Sequence, residues 1–275
     1  MSQDPAAKTS TKQPIWATVL VFVAGFAFAF VATAVFIDLG PSPIWVWALF
    51  VTSSLVLWQL PALKNPSEKW TTVLAYSLPF LTLWAASNPS PRYNFKSFIL
   101  YLLLGLLALV SILTVARFFS LVMKSPALRN AAGALFGFFV CAWLVAFFSS
   151  STGAGNHMIG MLMRLGFGKS LAETAALVIR KTLHFAFYGI LAIFAFRAMS
   201  RGGNRNTAAL LALFLALCHA SFDEIRQSSY LDRTGSFWDV CLDMCGAAAF
   251  VGLAQFRAKP TRKAATERTQ VTPTP

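Results

Sequence analysis

The chain has 275 residues, a formal net charge of +13, and only 12% charged against 57% hydrophobic residues. Soluble domains carry roughly 25% charged residues, so this composition excludes a soluble globular protein and indicates a polytopic membrane protein. The basic excess lies in short loops and tails rather than in any nucleic-acid module, and is read as a determinant of topology.

A helix that crosses the hydrocarbon core needs about 20 mostly apolar residues. Eight spans are predicted, at 15–37, 43–60, 70–87, 97–119, 131–150, 174–198, 207–223 and 237–256. The first follows Lys8 and Lys12 and is too long for a signal-peptide core, although Ala32-x-Ala34 mimics a cleavage site. Pro41, Pro43, Pro61, Pro66, Pro89, Pro91 and Pro126 punctuate the early loops, and Pro79 falls within the third span. Placing the N-terminus inside puts most of the 23 Lys and Arg residues on the inner face. The expected fold is therefore all-α: a polytopic membrane helix bundle with both termini cytoplasmic. In a bacterium the other face would be periplasmic or external.

The two halves differ in character. Residues 14–127 form a hydrophobic four-helix region whose spans contain almost no ionisable residues apart from Asp38 near the outer end of the first span. Residues 128–257 form a second four-helix region that holds nearly all the intramembrane polar groups. The tails, 1–13 and 258–275, are rich in Ala, Thr, Pro and basic residues and are expected to be disordered. No internal repeat suggests an inverted-repeat transporter. Cys141, Cys218, Cys241 and Cys245 form no C-x-x-C pair and read as small buried hydrophobes.

The fifth span exits through Ser149-Ser150-Ser151-Thr152-Gly153-Ala154-Gly155-Asn156-His157, read as a polar loop that either lines a site or merely connects. In the sixth, Arg180, His184 and Tyr188 share one helical stripe, with Lys181 beside them. Arg180 and Lys181 also suit anchoring in lipid headgroups, and His184 also suits helix packing. The seventh ends with His219, Asp223 and Gln227 four apart. Adjacent Asp223 and Glu224 point about 100° apart, so one is expected to face a shared site. Glu224 is preferred because it shares a face with Gln227. The alternative is a solvated acidic helix end.

Arg233-Thr234-Gly235 reads as a turn carrying a guanidinium over the site. Asp239 and Asp243, at i and i+4 in the eighth span, repel each other, so they require nearby cations, for which Arg180, Lys181, Arg226 and Arg233 are available, or one of them stays protonated. Gly246, Ala247, Ala248 and Gly252 give a small-residue face for close helix contact. Five of the ten acidic residues, Asp223, Glu224, Asp232, Asp239 and Asp243, thus fall in one short segment. Ionisable groups near a membrane core are costly and mark functional sites.

No H-E-x-x-H, P-loop, G-x-S-x-G or rhomboid-like motif is present. His184, Glu224, Asp239 and Asp243 have the donor types for a divalent cation. No recognisable metal motif accompanies them, and neither a metal nor a cofactor is expected.

These motifs, in this order, resemble the VanZ-like family of bacterial membrane proteins. The resemblance runs from Ser149-Ser150 through Arg180-Lys181-x-x-His184-Phe185-x-x-Tyr188-x-x-Leu191 to Asp223-Glu224-x-x-Gln227, Arg233 and Asp239-x-x-x-Asp243-x-x-Gly246-Ala247. It covers about 145–255 and leaves the first half unexplained. Many family members carry Glu just before the Tyr, where this chain has Phe187. The family is named for an accessory protein associated with low-level teicoplanin resistance. The resemblance implies a role at the cell envelope, around lipid-linked peptidoglycan material, without supplying a settled activity.

Three functions fit these readings. The first is a binding protein of the inner membrane whose outer-face site takes a lipid-linked cell-wall precursor or another anionic headgroup. Arg180, Lys181 and Arg233 would contact phosphate or carboxylate. Glu224, Asp239 and Asp243 would position those cations, with His184, Tyr188, Asp223 and Gln227 completing the site. The second is an intramembrane hydrolase or transferase acting on a lipid-linked substrate, with His184, Glu224, Asp239 and Asp243 as its catalytic candidates. The third is a transporter, which the crowding of polar residues at one face disfavours.

Overall fold

The computed structural model describes residues 33, 43–86, 95–148, 154–228 and 235–257. These hold eight helices and no strand: α1 (Pro43–Trp58), α2 (Pro66–Ala86), α3 (Phe95–Lys124), α4 (Pro126–Phe148), α5 (Ala154–Arg164), α6 (Lys169–Ser200), α7 (Arg205–Gln227) and α8 (Phe237–Arg257). Of the first predicted span, only Thr33 is described. It is helical and buried, and its hydroxyl bonds the Ser221 hydroxyl at 2.7 Å. The predicted tails lie outside the described residues.

Local chemistry sets the helix ends. Proline opens α1, α2 and α4, where its missing N–H costs no helical bond. The Glu68 carboxylate reaches back to accept from the backbone N–H groups of Lys64 (3.0 Å) and Asn65 (3.3 Å). Asn204 caps α7 by accepting from the N–H groups of Asn206 and Thr207. Gly166 ends α5 at φ 93°. There the Phe167 N–H donates to the Leu162 carbonyl and the Gly166 N–H to the Met163 carbonyl, a Schellman closure that favours glycine.

Five helices are long and apolar enough to cross a membrane: α3 from Ile99, α4, α6, α7 and α8. The predicted spans at 43–60 and 70–87 are helical, as α1 and α2, but are not among those five. Outward-facing chemistry agrees with lipid as the solvent. Along α3, Leu102 (63% exposed), Leu106, Ile112 (66%) and Leu113 form an apolar surface that water would not tolerate over such an extent. Several charged and polar side chains, among them His219, Asp223, Glu224, Arg226 and Asp243, are instead buried inside the bundle.

The centre of the bundle is α7, which packs against α1, α4, α6 and α8. Ala208, Ala212, Ala216 and Ala220 recur every fourth residue and are buried, which lets neighbouring backbones approach. Tyr76 of α2 is fully buried, with its ring against Phe50, Phe80, Phe138 and Phe139. Its hydroxyl lies 2.9 Å from His219 Nε2. His219 Nδ1 is 2.7 Å from the Leu215 carbonyl, which can only accept. The proton therefore sits on Nδ1, and Nε2 accepts from Tyr76.

Several sequence expectations change. The polar run expected as a loop to His157 turns helical at Ala154 and forms α5, which packs Leu162 against Ala172 and Ala176 of α6. The helix α6 starts at Lys169, ahead of the predicted 174, and its 32 residues span about 48 Å at 1.5 Å per residue. Of the small-residue face on α8, Gly246 and Ala247 are buried, but Ala248 is exposed and Gly252 has open space beside it. Cys141 and Cys218 are buried as expected, whereas Cys245 is exposed and Cys241 half-buried.

Candidate functional site

The predicted seventh span stops at 223, but α7 continues to Gln227. That extra turn carries the carboxylates into the bundle rather than into solvent. Asp223 is 6% exposed and Glu224 0%. Both adjacent acids face inward, because α7 has neighbours on opposite sides. Asp223 Oδ2 accepts from the Tyr188 hydroxyl of α6 at 3.4 Å, and that hydroxyl also lies 3.3 Å from the His219 carbonyl. Glu224 turns toward α8. Its Oε2 accepts from the Ser236 backbone N–H at 2.8 Å, and its Oε1 from Gln227 Nε2 at 3.4 Å.

The helices α6 and α8 run side by side in the same direction, joined by glycine contacts. A Cβ on Gly246 would collide with the Phe185 carbonyl, and one on Gly189 would meet the Phe250 ring at 2.7 Å. This close register sets two rungs. Lys181 pairs with Asp239, and one turn deeper His184 Nδ1 lies 3.4 Å from Asp243 Oδ1. The second contact is within ion-pair reach but is not aligned as a hydrogen bond. The predicted repulsion between Asp239 and Asp243 is thus answered by one basic partner on each rung. Asp243 is fully buried, and the His184 side chain is 25% exposed, so the cluster opens outward past the imidazole.

The sequence stripe of Arg180, His184 and Tyr188 divides on folding. Tyr188 is buried and His184 half-buried, while Arg180 is exposed and makes no ion pair among the described residues. Arg233 lies outside the described residues, as do Asp38, Asp232, Thr234 and the Ser149–Gly153 run. Asn156 and His157 are exposed on α5. Phe187, where relatives are expected to carry Glu, packs edge-on to Tyr188 at 5.7 Å.

Arg226 has a role that residue spacing did not reveal. It is 3% exposed, and its guanidinium donates to the Ala146 carbonyl near the end of α4 and lies 3.5 Å from the Trp84 carbonyl near the end of α2. A cation near two helix C-termini satisfies orphan carbonyls and complements both dipoles. It braces the ends of α2, α4 and α7 against one another beside the carboxylates. Arg226→Ala is expected to lower stability by about 2–4 kcal/mol, since charged hydrogen bonds contribute roughly 1.5–3 kcal/mol each. Denaturant unfolding in detergent would measure it, and an unchanged midpoint would remove the bracing role.

Tyr188, His184, Asp223, Glu224, Asp243 and the Lys181–Asp239 pair thus converge where α6, α7 and α8 meet. A family model described as VanZ/LLP1 matches residues 98–258. The match covers more than half of the chain and takes in α3 as well as the polar cluster. No curated protein and no solved structure matches.

Proposed function

The chain belongs to the VanZ/LLP1 family, and we propose that it is an integral membrane protein whose polar cluster binds the phosphate-bearing headgroup of an envelope lipid. The observation that carries this reading is the two-layer arrangement of charge. Exposed Arg180 and half-exposed Lys181 form a basic rim, and buried carboxylates with His184 form the floor. An apolar outer surface keeps the site at the edge of the bilayer, where a lipid-linked headgroup sits while its chain stays in hydrocarbon. Trp238, 77% exposed at the start of α8 beside Asp239, has the amphipathic ring expected at a membrane interface. With both termini cytoplasmic the site opens on the periplasmic or external side of the inner membrane. There it meets lipid-linked cell-wall precursors, which is how a protein of this kind would influence teicoplanin susceptibility.

Binding of a lipid-linked pyrophosphate to the detergent-purified protein tests this reading. The double variant Arg180→Ala, Lys181→Ala is expected to bind at least about tenfold more weakly, since charge-assisted contacts to phosphate are the strong ones. Equal affinity in a folded double variant would sink the rim as a phosphate contact.

A hydrolase or transferase acting on the same lipid is the second reading. It is favoured by the His184–Asp243 contact of 3.4 Å beside Glu224, a base-and-orienter geometry. Conversion of the lipid by the wild type, lost in His184→Gln, would select it over simple binding.

A further inference from the structure

Glu224 and Asp243 are fully buried in the floor of the site. Lys181 is engaged by Asp239, and His184 Nδ1 stands 3.4 Å from Asp243 Oδ1 without forming a hydrogen bond. Among the described residues, His184 is the basic group in ion-pair reach of Asp243. Asp243 accepts no hydrogen bond at either oxygen, although it is fully buried. A fully buried carboxylate left so is costly unless something binds it.

His184, Glu224 and Asp243 each offer one donor atom, and these atoms all lie within 4.8 Å of one another. They come from three different helices, α6, α7 and α8, so the fold rather than local sequence assembles them. We propose that these three side chains form a divalent metal site, and that the bound ion bridges the protein to the phosphate of the lipid headgroup.

The donor set fits this assignment. One imidazole nitrogen with two carboxylates suits a borderline transition ion such as Zn2+ or Mn2+ better than the all-oxygen shells of Ca2+ or Mg2+. Ligand bonds near 2.0–2.2 Å bring donors to about 3–3.5 Å apart, a spacing that His184 Nδ1 and Asp243 Oδ1 already have at 3.4 Å, so loading requires Glu224 to close on that pair. Supporting contacts are in place. Glu224 is oriented by the Ser236 N–H at 2.8 Å and by Gln227 at 3.4 Å, and each of its oxygens keeps a free lone pair. Two carboxylates balance a divalent charge, which removes the electrostatic cost of burying them together. Three protein ligands leave positions open for phosphate oxygens, and the partly exposed His184 edge gives the ion a way in. The residue spacing in the sequence gives no such indication, because the ligands fall 40 and 19 positions apart along the chain.

The site also explains how an acidic floor could accept an anionic headgroup. A bound cation reverses the local charge and leaves Arg180 and Lys181 to hold the outer phosphate oxygens. In that respect the inference rests on the lipid-binding reading above, but the metal itself is measured without lipid.

The experiment uses untagged full-length protein in detergent, stripped with chelator and dialysed against Zn2+ or Mn2+, with bound metal counted by plasma mass spectrometry. The wild type and Gly252→Ala are expected to hold one equivalent. Asp243→Asn and His184→Gln are expected to lose at least tenfold in affinity while remaining monodisperse. A stripped wild type that takes up neither ion at micromolar concentration overturns the proposal. So does equal uptake by a folded Asp243→Asn or His184→Gln. Metal uptake without any effect of Arg180→Ala, Lys181→Ala on lipid binding would keep the metal site and reject the lipid reading. Lipid binding by a wild type that takes up no metal would do the reverse.

Discussion

Gly246→Ala is expected to destabilise the protein by about 3 kcal/mol or more and to disassemble the polar site with it. Overpacking a closed interface typically costs 1–3 kcal/mol, and the obstruction here is backbone rather than a movable side chain. The Cβ of alanine would fall on the Phe185 carbonyl, at the crossing where α6 and α8 lie closest. To relieve that contact the two helices must separate or slide. Either movement breaks the register that pairs Lys181 with Asp239 and His184 with Asp243. The internal control is Gly252→Ala on the same helix. Nothing lies within 4 Å of its added Cβ, so it removes only the flexibility of glycine and is expected to be neutral, or stabilising by up to about 1 kcal/mol. Thermal unfolding of the two variants in one detergent decides the matter. Equal behaviour would mean that α6 and α8 are not packed as described.

Tyr76→Ala is expected to cost about 2–4 kcal/mol, and Tyr76→Phe about 1–2 kcal/mol. Removing a buried aromatic from a soluble core costs roughly 3–5 kcal/mol. In a bilayer the unfolded reference is also apolar, so the transfer part shrinks and the lost packing remains. Tyr76 is surrounded by four phenylalanine rings and holds His219, so the cavity has little freedom to collapse. The phenylalanine variant keeps the ring and removes only the hydroxyl, leaving His219 Nε2 without its donor. A difference between the two variants separates packing from hydrogen bonding. Equal losses would assign the whole effect to the hydroxyl. The Tyr76–His219 contact also ties α2 to α7, the central helix of the bundle.

Class and composition were legible in the sequence because a bilayer imposes simple rules. Apolar runs with proline at their starts gave helices, and α1, α2 and α4 begin at Pro43, Pro66 and Pro126. The i, i+4 spacing of Asp239 and Asp243 called for basic partners, and Lys181, one of those expected, pairs with Asp239, while His184, which was not, stands nearest Asp243. Other features required three dimensions. The helix α5 is amphipathic and short, so a search for long apolar runs passes over it, although Met158, Ile159 and Leu162 carry a helical pattern. The 100° rule suggested that only one of Asp223 and Glu224 faces a site. The two acids do diverge, Glu224 toward His184 and Asp243 and Asp223 toward Tyr188, but both are buried rather than one solvated, because α7 is central and has an interior on more than one side. Arg226 stands two residues past Glu224 in the sequence, but among its partners are backbone carbonyls about 80 and 140 residues away, which no local pattern can show.

The central claim is that the cluster at the junction of α6, α7 and α8 holds a lipid headgroup. Mass spectrometry of lipids co-purified with the wild type and with Glu224→Gln, before and after incubation with envelope lipid extract, tests it most directly. The predicted result is an unmodified phosphate-bearing lipid retained by the wild type and depleted from the nearly isosteric Glu224→Gln protein. The same lipids in the same amounts in both preparations would contradict the claim.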